Sequence, residues 1–230
     1  MPTPQDAEFD VYDDTYQSLV EDSMGFSGMS HDYVTRVKAD IIIETATRRF
    51  GSLAGRKVLD VGCGVGLTDV HLQGQPWQVY GTDVSSKSVA QAKQRNPAVA
   101  YEVGSEERLP FDDETFDLCF TICVMHHVPP AAWVEFLREM RRVLKPGGMA
   151  MVLEHNPFNP LTRLVVNRCP FDANAVLLTP RTLREKVATA DLKLLSTRYF
   201  LFTPWEKLKF VDRAFNWFPL GAQYVVVAER

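Results

Sequence analysis

The chain has 230 residues, a formal net charge of −4 and an apolar fraction of 46%. That fits one α/β domain with modest extensions, and no run approaches the ~20 apolar residues of a membrane span. The mild acidity argues against a nucleic-acid enzyme, which is usually basic.

The start, Met1-Pro-Thr-Pro-Gln-Asp-Ala-Glu8, is polar and does not read as a signal peptide. Asp10–Asp22 reads as a helix with Tyr12, Tyr16, Leu19 and Val20 on one side, and Gly25–Gly28 as a loop. A longer helix is expected over His31–Phe50, ended by Gly51. Strand one is Lys57–Val61, followed by a helix from about Leu67 to Leu72. Strand two is Gln78–Thr82, and Ser85 caps a helix running to Arg95. Val99–Val103 and Phe116–Val124 read as strands three and four, the latter apolar almost throughout like a strand covered on both faces. Ala131–Leu144 has helical periodicity, Pro146–Gly148 turns the chain, and Met149–Glu154 is strand five. Residues 155–179 show no clean period and read as an inserted cap. A helix over Thr182–Ala190 and strands over Leu192–Phe202 and Tyr224–Ala228 complete the order. Alternating β and α segments predict a mostly parallel sheet with helices on both faces. The aromatic stretch Tyr199–Leu220 is expected to pack on that sheet. Cys63, Cys119, Cys123 and Cys169 have no zinc spacing, so reduced thiols in a cytoplasmic protein without a metal are expected.

Two motifs carry the chemistry. Val58-Leu-Asp-Val-Gly-Cys-Gly-Val-Gly66 is an apolar strand entering a glycine turn, an arrangement that suits a nucleotide-type ligand at the carboxyl end of a parallel sheet. Leu67 stands where a dinucleotide fingerprint would need its third glycine. Asp83 ends the next apolar run, where a carboxylate can accept from both hydroxyls of a ribose. Gly104-Ser-Glu-Glu-Arg-Leu-Pro-Phe111 and the span from Phe116-Asp-Leu-Cys-Phe to Leu144-Lys-Pro-Gly-Gly148 follow.

Over residues 30–155 this set resembles the class I S-adenosylmethionine-dependent methyltransferases. The resemblance implies a Rossmann-like seven-stranded sheet of order 3-2-1-4-5-7-6 with an antiparallel seventh strand. It implies S-adenosylmethionine as cofactor and S-adenosylhomocysteine as product. Gly62, Gly64 and Gly66 would line the cofactor, Asp83 would hold its ribose and Val84 would pack on its adenine. Asp60 would either lie near the methionine part or tie down the glycine loop. Ser105 stands where many members have an adenine-binding Asp, so Ser105 or Glu106 is expected to take over. Cys123 would flank the cofactor. The resemblance also implies a lid, residues 1–30, with Tyr16 over the cofactor and Tyr12 over the acceptor. The whole chain would then be one domain, with a substrate cap at 155–181.

Catalytic groups are harder to read, because methyl transfer needs mainly alignment and exclusion of water. His126 and His155, at the carboxyl ends of the central strands, are the candidates to deprotonate or position an acceptor. Glu154 and Asn156 either orient a hydroxyl or amine or merely bond the cap loop. Arg163 suits a carboxylate or phosphate, although solvated arginines are commoner. The expected activity is methyl transfer to oxygen or nitrogen of a small or medium-sized metabolite, by a monomer or homodimer that engages no nucleic acid. Two alternatives stay open: a macromolecule-modifying methyltransferase, and a cofactor-binding protein without turnover. The first lacks an Asn-Pro-Pro-Tyr-type segment after strand four, where Met125-His-His-Val-Pro-Pro130 stands instead.

Overall fold

A computed structural model describes residues 30–203, 205 and 208–230. Tyr12, Tyr16 and the expected leading helix and loop lie outside the described residues. Helix α1 (His31–Phe50) has the predicted bounds. The Ser30 hydroxyl accepts from the Tyr33 amide at its start, and Gly51, at φ 72°, closes its end. Strand β1 (Lys57–Val61) also has its predicted bounds. The helix after the glycine turn, α2 (Asp69–Leu72), is shorter than expected because the turn itself extends to Thr68. Strand β2 (Gln78–Asp83), helix α3 (Ser86–Arg95, capped by Ser85) and strand β3 (Ala100–Val103) follow.

Strand β4 (Phe116–Ile122) stops two residues early, because Cys123 adopts a left-handed φ of 56°. Helix α4 (Trp133–Val143) leads straight into β5 (Leu144–His155). The expected Pro146–Gly148 turn is absorbed as an irregularity in that strand: Leu144 pairs with Phe116, and the register shifts before Met149 pairs with Leu118. The cap is not irregular throughout. It contains helix α5 (Pro160–Arg168), whose first turn is closed by the Asn159 side chain accepting from the Thr162 amide, and a 3-10 turn at Pro170–Asp172. Helix α6 (Pro180–Thr189) starts two residues early, with Thr179 as its cap and Pro180 in its first turn. Strand β6 (Lys193–Phe200), helix α7 (Lys209–Phe215) and strand β7 (Gln223–Glu229) complete the described chain.

The sheet order is β3-β2-β1-β4-β5-β7-β6, with β7 antiparallel to both neighbours and the other pairings parallel. Alternate residues of each strand feed two apolar layers. Met149, Met151 and Leu153 join Val225 and Val227 under α1 and α3, whereas Ala150 and Val152 join Tyr224 and Val226 beside α4 and α6. No described helix is long and apolar enough to cross a membrane.

The aromatic stretch departs from expectation. Phe200 is buried, but Trp205, Phe210, Phe215 and Trp217 are all exposed. The segment is the crossover from β6, the edge strand, to β7, and α7 packs mainly on β6. A sheet edge has too little face left to cover so many rings.

The lower end of the sheet is fixed by Asp117. Its carboxylate accepts from Arg56 (2.7 Å), the Lys57 amide (3.0 Å) and Lys145 (2.8 Å). Burial pushes its pKa up, and the Lys145, Lys57 and Arg56 donors outweigh that, so the net direction is down. A carboxylate with a depressed folded pKa stabilises the fold above its unfolded pKa and loses that contribution as pH falls through the folded value. Asp117→Asn is therefore expected to destabilise the protein by about 1.5 kcal/mol at neutral pH, the low end for a charged hydrogen-bond acceptor whose partners are partly solvated. Urea unfolding of both proteins should show the gap closing as pH falls below ~3.9.

Candidate functional site

The crevice lies at the carboxyl ends of β1, β2, β4 and β5, where the strand order reverses between β1 and β4. The glycine turn after β1 folds back on β2: the amides of Gly62 and Cys63 both donate to the Thr82 carbonyl, at 2.8 and 3.0 Å. Gly62 must lack a Cβ because Val124, just past β4, would lie 2.4 Å from it. Gly66 must lack one because Asn96 and Tyr101 would lie 2.5 and 2.8 Å away, and its φ is 73°. Gly64 faces open space. Its amide donates to Asp83 Oδ2 (2.8 Å), and the other oxygen of Asp83 accepts from the Ser85 amide (2.9 Å). One carboxylate thus ties the glycine turn of β1 to the helix start after β2. Val84, beside it, is an exposed apolar side chain.

Behind the turn, Asp60 and Asp69 are buried together. Tyr101 donates to Asp69 (2.6 Å), and the Asn96 amide donates to Tyr101 (2.9 Å) and to the Gly66 carbonyl (2.8 Å). Burial, followed by the charges of Asp69 and Asp83, raises the Asp60 pKa well above the usual carboxylate range. Burial lifts Asp69 to about 6 against the pull of Tyr101 and Asp60. Asp60 Oδ1 has no hydrogen-bond partner among the described residues. Ser105 and Glu106 are exposed in a turn, and the Ser105 hydroxyl accepts from the Arg108 amide (3.1 Å).

A second polar cluster occupies the β4–β5 side. His126 is buried, with Nδ1 2.7 Å from Glu154 Oε2 and Nε2 3.5 Å from Asp172 Oδ1. Burial pulls its pKa down, and Glu154 and Asp172 outweigh this, lifting it to about 10. Both ring nitrogens face carboxylates, an arrangement that suits positioning better than proton abstraction. His127 Nε2 lies 3.3 Å from Asp172. His155 lies against His126, with ring centroids 5.1 Å apart, and its Nδ1 is 3.4 Å from Gln223 Nε2. Burial and the His126 charge depress both His127 and His155 to about 4. Cys123 is flanked by Lys38 Nζ at 3.7 Å and Gln223 Nε2 at 3.6 Å.

Asn156 is buried, with both amide protons engaged by the Pro219 and Gly221 carbonyls (3.0 and 2.8 Å) and its oxygen accepting from Phe158 (3.1 Å). It joins the cap to the segment before β7, the loop-bonding alternative. Arg163 lines an open cavity of ≈ 440 Å³ with Phe158, Val166, Asn167 and Asp172. Arg168 is exposed, and Arg181 pairs with Glu185 on the surface. Motif spacing did not single out Asp172, Gln223, Lys38, Asp69, Tyr101 or Asn96. The one available signal was that Asp172 is the lone acid in a stretch with three arginines.

Residues 59–152 match a family model described as a methyltransferase domain. An uncharacterised methyltransferase of Synechocystis is 41% identical over 106 residues, 46% of this chain and 50% of that protein. A malonyl-(acyl-carrier protein) O-methyltransferase of Erwinia billingiae is 33% identical over 121 residues, 53% of this chain and 46% of that one. The chain thus matches about half the length of these curated relatives. A SAM-dependent methyltransferase structure from Thermotoga maritima aligns with a TM-score of 0.69 at 19% identity, over 96% of this chain and 97% of that one, a likeness of fold. Residues 59–152 thus match a methyltransferase domain, and the fold of the chain is the one seen in SAM-dependent methyltransferase structures. Asp60, the three glycines, Asp83 and His126 lie within the matched span, whereas Glu154, His155, Asn156 and Arg163 lie beyond it.

Asn156→Ala is expected to destabilise the protein by about 1–3 kcal/mol, since three backbone groups lose their partner, that of Gly221 at a buried bond. Affinity for S-adenosylhomocysteine should stay unchanged, measured by calorimetry alongside thermal unfolding.

Proposed function

We propose that this protein transfers a methyl group from S-adenosylmethionine to oxygen or nitrogen of a small or medium-sized metabolite, leaving S-adenosylhomocysteine. The observation that carries the reading is the Asp83 carboxylate gripping the Gly64 amide at the mouth of the β1–β2 crevice. The residues present fit the cofactor. There is open space beside Gly64, an exposed apolar Val84 beside an acid, and an orphaned buried oxygen on Asp60. Asp83 would hold the ribose hydroxyls with its remaining lone pairs, and Val84 would cover the adenine. Gly62, Gly64 and Gly66 would let the backbone approach the methionine part. When bound, the cofactor supplies an electrophilic methyl on a sulfonium.

The protein's part is then to place an acceptor in line and keep water out. We assign the acceptor to the cap cavity, where Arg163 offers a cation to an acidic group and Phe158 and Val166 offer apolar surface. His155, half-buried at the end of β5, is assigned to orient the reacting hydroxyl or amine. The relative named for O-methylation supports an oxygen acceptor. The acceptor itself lies on the side of the chain that the family match does not reach.

Asp83→Ala should weaken binding of S-adenosylmethionine and S-adenosylhomocysteine by about 1.5–3 kcal/mol, since a charge-assisted contact is lost. Titration calorimetry reads this directly, and unchanged affinity would remove the assignment. His155→Ala should keep cofactor affinity and lower kcat by ~10²-fold, the scale of a misplaced acceptor. Equal kcat in the two proteins would mean that His155 takes no part.

A further inference from the structure

We infer that His126, His127 and Asp172 form a binding site for one divalent transition cation of the zinc type, with Glu154 as the carboxylate behind it. The three ligand atoms lie within 4.8 Å of one another. His127 Nε2 and His126 Nε2 stand 3.3 and 3.5 Å from Asp172 Oδ1. Metal–ligand bonds of ~2.0–2.1 Å at a tetrahedral angle put neighbouring ligand atoms about 3.3–3.4 Å apart. The remaining His–His edge closes by a small rotation of His127, the less buried of the two rings. Two imidazoles and a carboxylate suit zinc and its neighbours better than magnesium or calcium, which prefer oxygen ligands.

The surroundings point the same way. A ligating histidine usually donates its other ring N–H to a carboxylate. His126 Nδ1 lies 2.7 Å from Glu154, which leaves Nε2 turned to Asp172. Glu154 is fully buried, and its second oxygen has no hydrogen-bond partner among the described residues. Two carboxylates buried this deeply need positive charge nearby, and a single imidazolium at His126 offsets only one of them. A divalent ion bound by Asp172 and two neutral imidazoles, with Glu154 behind, brings the formal charge of the group to zero. The bonds form from the imidazole lone pairs and the carboxylate, any proton on Nε2 passes to solvent, and no electron is transferred. Asp172 also lines the cap cavity, so a fourth coordination position can open toward it. Three protein ligands and one open position is the pattern of catalytic rather than structural zinc. The site stands apart from the methyl-transfer reading, because cation binding is measured with neither acceptor nor cofactor present.

The test uses the full chain, stripped with a chelator and titrated with zinc chloride by calorimetry. Cobalt chloride titration followed by visible absorption checks the geometry. One equivalent of zinc is expected, with a visible cobalt band of tetrahedral type. His127→Ala and Asp172→Asn should each lower zinc affinity at least ~10-fold, and Glu154→Gln by ~10–100-fold, as for other outer carboxylates. S-adenosylhomocysteine affinity of the His127→Ala protein should stay within about twofold of the parent, which confirms that the variant is folded. No saturable zinc binding would overturn the inference. So would binding that survives both His127→Ala and Asp172→Asn, as an ion held at His71 beside Asp32 would.

Discussion

The contact between the Gly64 amide and the Asp83 carboxylate is the hinge on which the crevice turns. A turn that exposes backbone amides to a ligand cannot satisfy them within itself, and something outside must hold its shape. Asp83 does so from the next strand and also accepts from the Ser85 amide, so two separate βα connections share one anion. The turn is braced from beneath by Asn96 on the Gly66 carbonyl and from the side by Val124 against Gly62. A rigid cradle of this kind forfeits little conformational entropy when a ligand arrives.

Buried acids appear on both sides of the β1–β4 switch, and the fold neutralises them differently. Beneath the glycine turn, Asp60 and Asp69 are buried together with Tyr101 donating to Asp69, and burial beside a second acid raises the Asp60 pKa, which favours its uncharged form. On the β4–β5 side, Glu154 and Asp172 are bridged by His126. The first arrangement braces the turn from behind, through Tyr101 and Asn96. The second gathers His127 and His155 against His126, and its Asp172 lines the cap cavity.

The half of the chain with local signals was the legible half. α1 and β1 have the bounds that periodicity and glycine punctuation predict, and so does the strand order that the family resemblance implies. The need for glycine at Gly62 and Gly66 was legible because close approaches follow from position in a strand–turn unit. The misses have physical causes. Cys123 ends β4 through a backbone angle that no apolar pattern encodes. α5 is short enough for its Asn159 cap and Pro160 to outweigh its weak periodicity. The aromatic crossover looked like core because composition cannot tell a covered face from an edge. Asn156 read equally as ligand or strut, and only its three backbone partners distinguish them. Asp172 meets His126 across a long stretch of chain, and no local motif announces such a meeting.

The attachment of the cap has an evolutionary consequence. It leaves the sheet at Asn156, which bonds the 219–221 segment, and returns through Val176, whose amide donates to the His126 carbonyl (2.8 Å). Asn159, Thr162 and Asp172 add side-chain moorings, and the other side chains between them are less constrained. The interior of that stretch can therefore drift or be exchanged as a cassette while the cradle at the β1–β2 crevice stays under selection. Chimaeras joined at 156 and 176 are the natural units in which to exchange that stretch between relatives.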